Sequence, residues 1–166
     1  MMEQMKITQI KEENKIKSCA FTGHRVLPEY FSSKKLYTEI EKLIKEGVEI
    51  FYNGMAIGFD LLAAEQVIKL KKKYNKVKLV ACIPCYNQEK SFSQKDKQRY
   101  VEILKRVDEQ VLLSETYYRG CMQVRDKYMA DRADVLVAFC EKETGGAAYT
   151  LKYFKKKYTF KKIVMI

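Results

Sequence analysis

Hydrophobic and polar positions along the chain follow two alternating periods. Short apolar runs at residues 16–22, 48–52, 77–83, 110–113, 135–139 and 162–166 read as strands. Between them, apolar positions recur at helical spacing. Leu36, Ile40, Leu43 and Ile44 follow a capping Ser32 or Ser33 and precede Gly47, a helix with both ends marked. Leu61, Ala64, Val67, Ile68 and Leu70 form a second stripe that ends in Lys71 to Lys73, where cations suit the helix dipole. Residues 93–106, 120–132 and 147–157 complete five helices, and Pro84 stops the third strand. Six strands alternating with five helices predict a three-layer α/β domain with a mostly parallel sheet, over residues 15–166. Residues 1–14 read as a polar N-terminal extension.

The unusual residues fall at one end of this predicted sheet. Thr22, Gly23, His24 and Arg25 follow the first strand, and Asn53, Gly54, Gly58 and Asp60 follow the second. Pro84 follows the third, Ser114 and Glu115 the fourth, and Thr144, Gly145 and Gly146 the fifth. In a doubly wound sheet, ligands bind at the carboxyl ends of the strands, near the point where strand order reverses. Tight βα turns need Gly with or without a ligand. Here Arg and His accompany the glycines, which favours a pocket. A Gly-rich turn opening a helix also presents unpaired N–H groups and a positive dipole end, an arrangement that attracts anions.

Charge and cysteine content change this picture little. The net charge of +11 suits a nucleic-acid or acidic partner, but 26 of the 32 basic residues are Lys, a composition that also follows from a general residue bias. Cys82 and Cys85 form a C-x-x-C. With five cysteines and a single histidine, His24, the chain lacks the further ligands that a zinc site needs, and no metal or cofactor is expected. No apolar stretch approaches the ~20 residues that span a bilayer, and the charged start has no secretory core. The expected compartment is the cytoplasm.

The combination of TGHR (22–25), G-x-A-x-G-x-D-x-x-A-A-E (54–65) and R-D-x-x-M…A-D-x-L-V-A…G-G (125–146) resembles the SLOG superfamily. It is most similar to the small stand-alone members related to YpsA. The resemblance covers about residues 17–166. It implies a Rossmann-like fold that binds a nucleotide or nucleotide-derived ligand, as a sensor or regulatory domain with a protein partner or as a homo-oligomer. Two other branches offer alternatives: the Lonely Guy phosphoribohydrolases, which cleave nucleoside monophosphates, and DNA-processing protein A, which binds single-stranded DNA. Arg125, Met129 and the Gly145–Gly146 pair match the Lonely Guy pattern. Glu143 and Thr144 stand where a Pro would precede the glycines, and residues 147–152 carry no carboxylate. Glycosidic cleavage needs an acid, so binding is the function better supported.

The candidate ligand- and phosphate-binding residues are therefore Thr22, Gly23, His24, Arg25, Gly54, Gly58, Asp60, Arg119, Arg125, Thr144, Gly145 and Gly146. Three of the six arginines, Arg25, Arg119 and Arg125, fall near this edge; a guanidinium grips phosphate in two places, or instead clamps the fold, Arg125 to Asp60 for instance. His24 suits either a ligand or a neighbouring backbone group. Asp60 suits a helix first turn, a ribose hydroxyl or a pair with Arg125. If a reaction occurs, Arg125 and Glu65 are the catalytic candidates, Glu65 in place of the missing acid. Tyr153, Phe154, Tyr158 and Phe160 interleave with lysines as single-strand binders do, yet Ala147, Leu151, Phe154 and Tyr158 equally form a core stripe.

Overall fold

A computed structural model of the chain describes residues 1–6 and 16–166. Most of the predicted extension lies outside the described residues; residues 2–6 form an exposed helical turn. The strands are β1 (Ser18–Gly23), β2 (Ile50–Asn53), β3 (Lys78–Ile83), β4 (Glu109–Leu112), β5 (Val135–Phe139) and β6 (Lys162–Met165). They form one sheet in the order β4-β3-β2-β1-β5-β6, and every pairing is parallel. The connecting helices are α1 (Ser33–Glu46), α2 (Phe59–Lys71), α3 (Gln94–Leu104), α4 (Cys121–Arg132) and α5 (Gly146–Lys157). A short 3₁₀ turn, Gln88–Ser91, precedes α3.

Local chemistry sets the boundaries. Ser32 caps α1 by accepting from the Lys35 N–H, and Gly47 ends it at φ 115°. The N–H of Val48 then closes back on the Leu43 carbonyl at 3.0 Å. Val48 is thereby spent on the helix cap, which is why β2 begins at Ile50 rather than at 48. At the other end of the sheet, Asp134 accepts from the backbone N–H groups of Lys17 and Ser18 at 2.9 and 3.1 Å, fastening the start of β1 to the start of β5.

The strand period of two divides the core between the two faces of the sheet. Phe21, Phe51, Leu79 and Val137 pack under Leu36, Ile40, Leu61, Val67, Leu70 and Ile103 of α1, α2 and α3. Ala20, Val80, Cys82, Leu136 and Ala138 pack against Met129, Leu151 and Phe154 of α4 and α5. Small strand residues on this second face let the two helices approach closely. Strands β2, β3 and β4 follow β1 outward on one side, and the chain then crosses to β5 and β6 on the other. The strand order therefore reverses between β1 and β5, where a crevice must open at the carboxyl ends.

Gly23, the last residue of β1, borders that crevice. A Cβ added there would lie 2.2 Å from Cγ and 2.5 Å from Cβ of Phe59, the first residue of α2. Gly23→Ala should therefore cost about 1–3 kcal/mol of stability, through a forced shift of a buried ring. Urea denaturation measures it; a midpoint equal to that of the parent chain would contradict the close approach.

Candidate functional site

A cleft of about 280 Å³ occupies the predicted crevice. Its walls come from the end of β1 and the loop after it, the start of α2, the first turns of α4, the loop after β5 and the N-terminus of α5. The loop after β1 is held from two sides. Gly58 precedes α2 at φ 78°, and an added Cβ would meet the Arg25 carbonyl oxygen at 2.3 Å. The Phe59 N–H donates to the His24 carbonyl at 3.1 Å. From the β5 side, the Glu141 N–H donates to Nε2 of His24 at 2.8 Å, and the imidazole edge rests on Phe139. Nε2 is thus an acceptor, so Nδ1 carries the proton of the neutral ring. His24 accordingly ties the β1 loop to the β5 loop through backbone, and it also lines the cleft.

Arg125 is the buried charge of the site. Its Nε donates to Asp126 Oδ1 at 2.7 Å and its Nη1 to the Gly54 carbonyl, which also accepts from Gln88 Nε2 at 3.0 Å. The ion pair therefore goes to the adjacent Asp126 and not to Asp60. A Cβ on Gly54 would stand 2.9 Å from the guanidinium carbon, so this glycine exists to admit Arg125. Burial opposes the charge, but Asp126 and Asp60 outweigh it and hold the pKa above its ordinary value. Nη2 makes no hydrogen bond among the described residues, and Arg125 lines the cleft. Its remaining donors are free for a ligand.

Asp60 sits in the first turn of α2, buried, with Oδ2 accepting from the Ala56 N–H at 3.3 Å. Asn53 supports it from behind: its Nδ2 donates to the Asp60 carbonyl at 2.8 Å while its Oδ1 accepts from the Met55 N–H at 2.8 Å. Met55 adopts φ 60°, a left-handed conformation costly for a long side chain, and this Asn53 bond holds it. Burial pushes the Asp60 carboxyl up from 3.8 to about 7, only partly opposed by Arg125.

The β5–α5 turn differs from the others. Gly145 lies at φ 100° with no side-chain cap on α5, and nothing stands within 4 Å of a Cβ added to Gly145 or Gly146. The first backbone bond of the helix runs from the Tyr149 N–H to the Gly145 carbonyl at 2.9 Å. The N–H groups of residues 146–148 precede it and have no partner within the helix. Gly23, Gly54 and Gly58 are required by packing, whereas Gly145 and Gly146 face open space.

Of the residues anticipated from sequence, Thr22, Gly23, His24, Arg25, Asp60, Arg125, Thr144, Gly145 and Gly146 line the cleft. Gly54 and Gly58 stand behind its walls. Arg119 is exposed in the β4–α4 connection and does not line it. Glu65 is not brought there either: it pairs with Arg99 in a separate groove between α2 and α3. Asp126, Lys142 and Met122 line the cleft without having been singled out, although Asp126 is the second residue of the R-D motif. Cys82 and Cys85 are buried, and burial raises both thiols, Cys82 to about 12. Among the described residues, no cluster of His, Cys, Asp and Glu suits a metal ion.

A parallel doubly wound sheet with a glycine-bordered cleft at its switch point defines a Rossmann-like protein. The family model described as the YspA SLOG family (YpsA) matches residues 29–165, and the chain belongs to that family. It is 32% identical over 130 residues to a UPF0398 protein of Halalkalibacterium halodurans, covering 76% of this chain and 69% of that one. The UPF0398 protein YpsA of Bacillus subtilis is 26% identical over 120 residues, covering 71% and 67%. The SPbeta prophage-derived protein YoqJ of the same organism is 32% identical over 137 residues, covering 75% and 80%. Among solved structures, DNA processing protein A from Helicobacter pylori, described for its single-stranded DNA binding mode, superposes with a TM-score of 0.60. It is 19% identical, with 93% of this chain and 67% of that one covered, a likeness of fold.

The position of Asp60 gives the stability a pH dependence of definite sign. A carboxyl whose pKa is higher folded than unfolded binds its proton preferentially in the folded state, so stability falls as pH rises from about 4 to about 7. Asp60→Asn, which keeps an acceptor for the Ala56 N–H, should remove much of that fall and stabilise the protein at pH 8 by on the order of 1–4 kcal/mol. Urea midpoints at pH 4.5 and pH 8 test it; a variant less stable than the parent at pH 8 would refute the buried-carboxyl account.

Proposed function

We propose that the cleft binds a nucleotide or nucleotide-derived ligand through its phosphate, and that the domain senses or regulates through that binding. The observation that carries this reading is the free Nη2 of buried Arg125 facing the same cleft as the uncapped N-terminus of α5. A desolvated guanidinium and a helix N-terminus are each suited to phosphate, and together they give two charge-assisted contacts from different elements. Arg25 and Lys142 add exposed cations at the rim. The volume lies at the small end of ligand pockets, which begin at about 300 Å³, and suits a phosphorylated ribose with its base directed outward. Asp60, which lines the same cleft, is suited to accept from a sugar hydroxyl.

A thermal-shift panel of adenine and guanine nucleotides, NAD and ADP-ribose tests the reading. A ligand at 100 times its dissociation constant adds about 2.7 kcal/mol, a shift of several degrees. Arg25→Ala should weaken binding about tenfold or more without altering the unliganded melting temperature. Arg125→Ala is unsuited as the first variant, because it also strips the Gly54 carbonyl of a donor. No shift with any of these compounds would count decisively against a nucleotide site.

A second reading, cleavage of an N-glycosidic bond, gains one specific observation. Asp60 and Asp126 both line the cleft, and a buried carboxyl pushed up to about 7, as Asp60 is, suits the proton transfer that a leaving base requires. This reading predicts free base from a nucleoside monophosphate, detectable by chromatography, and its loss in Asp60→Asn. Absence of free base after prolonged incubation at micromolar enzyme would leave binding alone.

A further inference from the structure

The net charge of +11 is distributed unevenly between the two ends of the sheet. At the carboxyl edge, the βα connections carry Arg25, Lys90, Arg119 and Lys142 against Glu29, Glu89, Glu115, Glu141 and Glu143. That edge is close to neutral. At the amino edge, the αβ connections also carry Glu49, Asp108 and Asp134, but two segments hold lysines with no acid among them. Lys72, Lys73, Lys76 and Lys78 run from the end of α2 into β3, and Lys155, Lys156, Lys157, Lys161 and Lys162 run from the last turn of α5 into β6.

The helix dipole accounts for cations in a last helical turn, such as Lys155 to Lys157. It does not account for Lys76, Lys78, Lys161 and Lys162, which lie past the helix ends. Nor does it account for Phe160, 84% exposed in the middle of the second run. The neighbouring aromatics are engaged: Phe154 is buried, and Lys161 sits over the Tyr158 ring at 3.9 Å. Among the described residues, Lys72, Lys76, Lys78, Lys155 and Lys156 form no ion pair; Lys73, Lys157 and Lys162 do, and Lys161 Nζ donates to the Ala133 carbonyl at 2.7 Å. In sheet order, β3 and β6 are separated by β2, β1 and β5, so the two runs, which leave helices on opposite faces, end roughly 19 Å apart on the same edge of the sheet.

We propose that the amino edge of the sheet is a second binding surface, for single-stranded nucleic acid, with phosphates lying across both lysine runs and an unstacked base on Phe160. Lysine is a compact point charge that contacts phosphate without reading bases. A free aromatic face is what an unpaired base, and not a duplex, can use. The surface shares no residue with the cleft, so it stands whether or not the cleft binds a nucleotide.

The test is fluorescence anisotropy of a labelled oligothymidylate of about 20 nucleotides with the full chain, at about 50 mM salt and through a salt titration. Lys72→Glu/Lys76→Glu and Lys155→Glu/Lys156→Glu should each weaken binding about tenfold or more and flatten the salt dependence. Phe160→Ala should weaken it by roughly tenfold. Lys34→Glu/Lys35→Glu, the same charge change on the exposed first turn of α1, should leave the affinity within about twofold. Circular dichroism and melting of each variant establish that it is folded. The proposal is overturned by an absence of binding at low salt, by an equal loss in the Lys34/Lys35 pair, or by duplex binding that matches single-strand binding and ignores Phe160→Ala. Binding to phosphatidylserine vesicles through Phe160, with no affinity for the oligonucleotide, would overturn it equally by assigning the edge to a membrane surface.

Discussion

The contact on which the site depends is the one between the Arg125 guanidinium and the Gly54 carbonyl. It joins α4 on one face of the sheet to the loop that leads into α2 on the other, across the carboxyl end of the strands. A buried cation is costly unless paired, and Asp126 beside it makes the burial tolerable. The consequences spread outward. Gly54 must lack a side chain, Gln88 must supply the second donor to the shared carbonyl, and Met55 must turn left-handed to leave the loop in place. Arg125 thus braces the fold and lines the cleft at once.

Much of the fold was legible because its signals are local. Ser32 and Gly47 mark the ends of α1, and the apolar spacing of Leu36, Ile40 and Leu43 marks the face it buries. The crevice was legible too, because topology puts every βα turn on one edge. Partners that depend on long-range contacts were not. Gly54 reads from sequence as a turn residue, yet the atom that excludes its Cβ belongs to Arg125, 71 positions later. Asp126 reads as an ordinary polar helix residue until its neighbour is buried. Glu65 was drawn to the site by its nearness to Gly58 along the chain, but six helical residues past Phe59 place it roughly 9 Å further along the α2 axis, on the face shared with α3.

Net charge shows the same limit. A composition of +11 states how much charge there is and not where it lies. Only the order of strands and helices assigns the lysines to the edge opposite the glycine-rich cleft. Helix α2 spans the interval between these two ends. Asp60 lies in its first turn and Lys71 in its last, about 17 Å apart along the helix axis.

His24 has a further use that follows from its place. It is the only histidine in the sequence, and it sits at the mouth of the cleft with one nitrogen committed to the Glu141 N–H and the other carrying a proton. Its carbon-bound ring hydrogens are therefore the sole imidazole signals that a proton magnetic resonance spectrum of this chain contains. The cleft comes with its own resolved reporter, readable without isotopic labelling or an added dye, at the seam between the first and fifth strands.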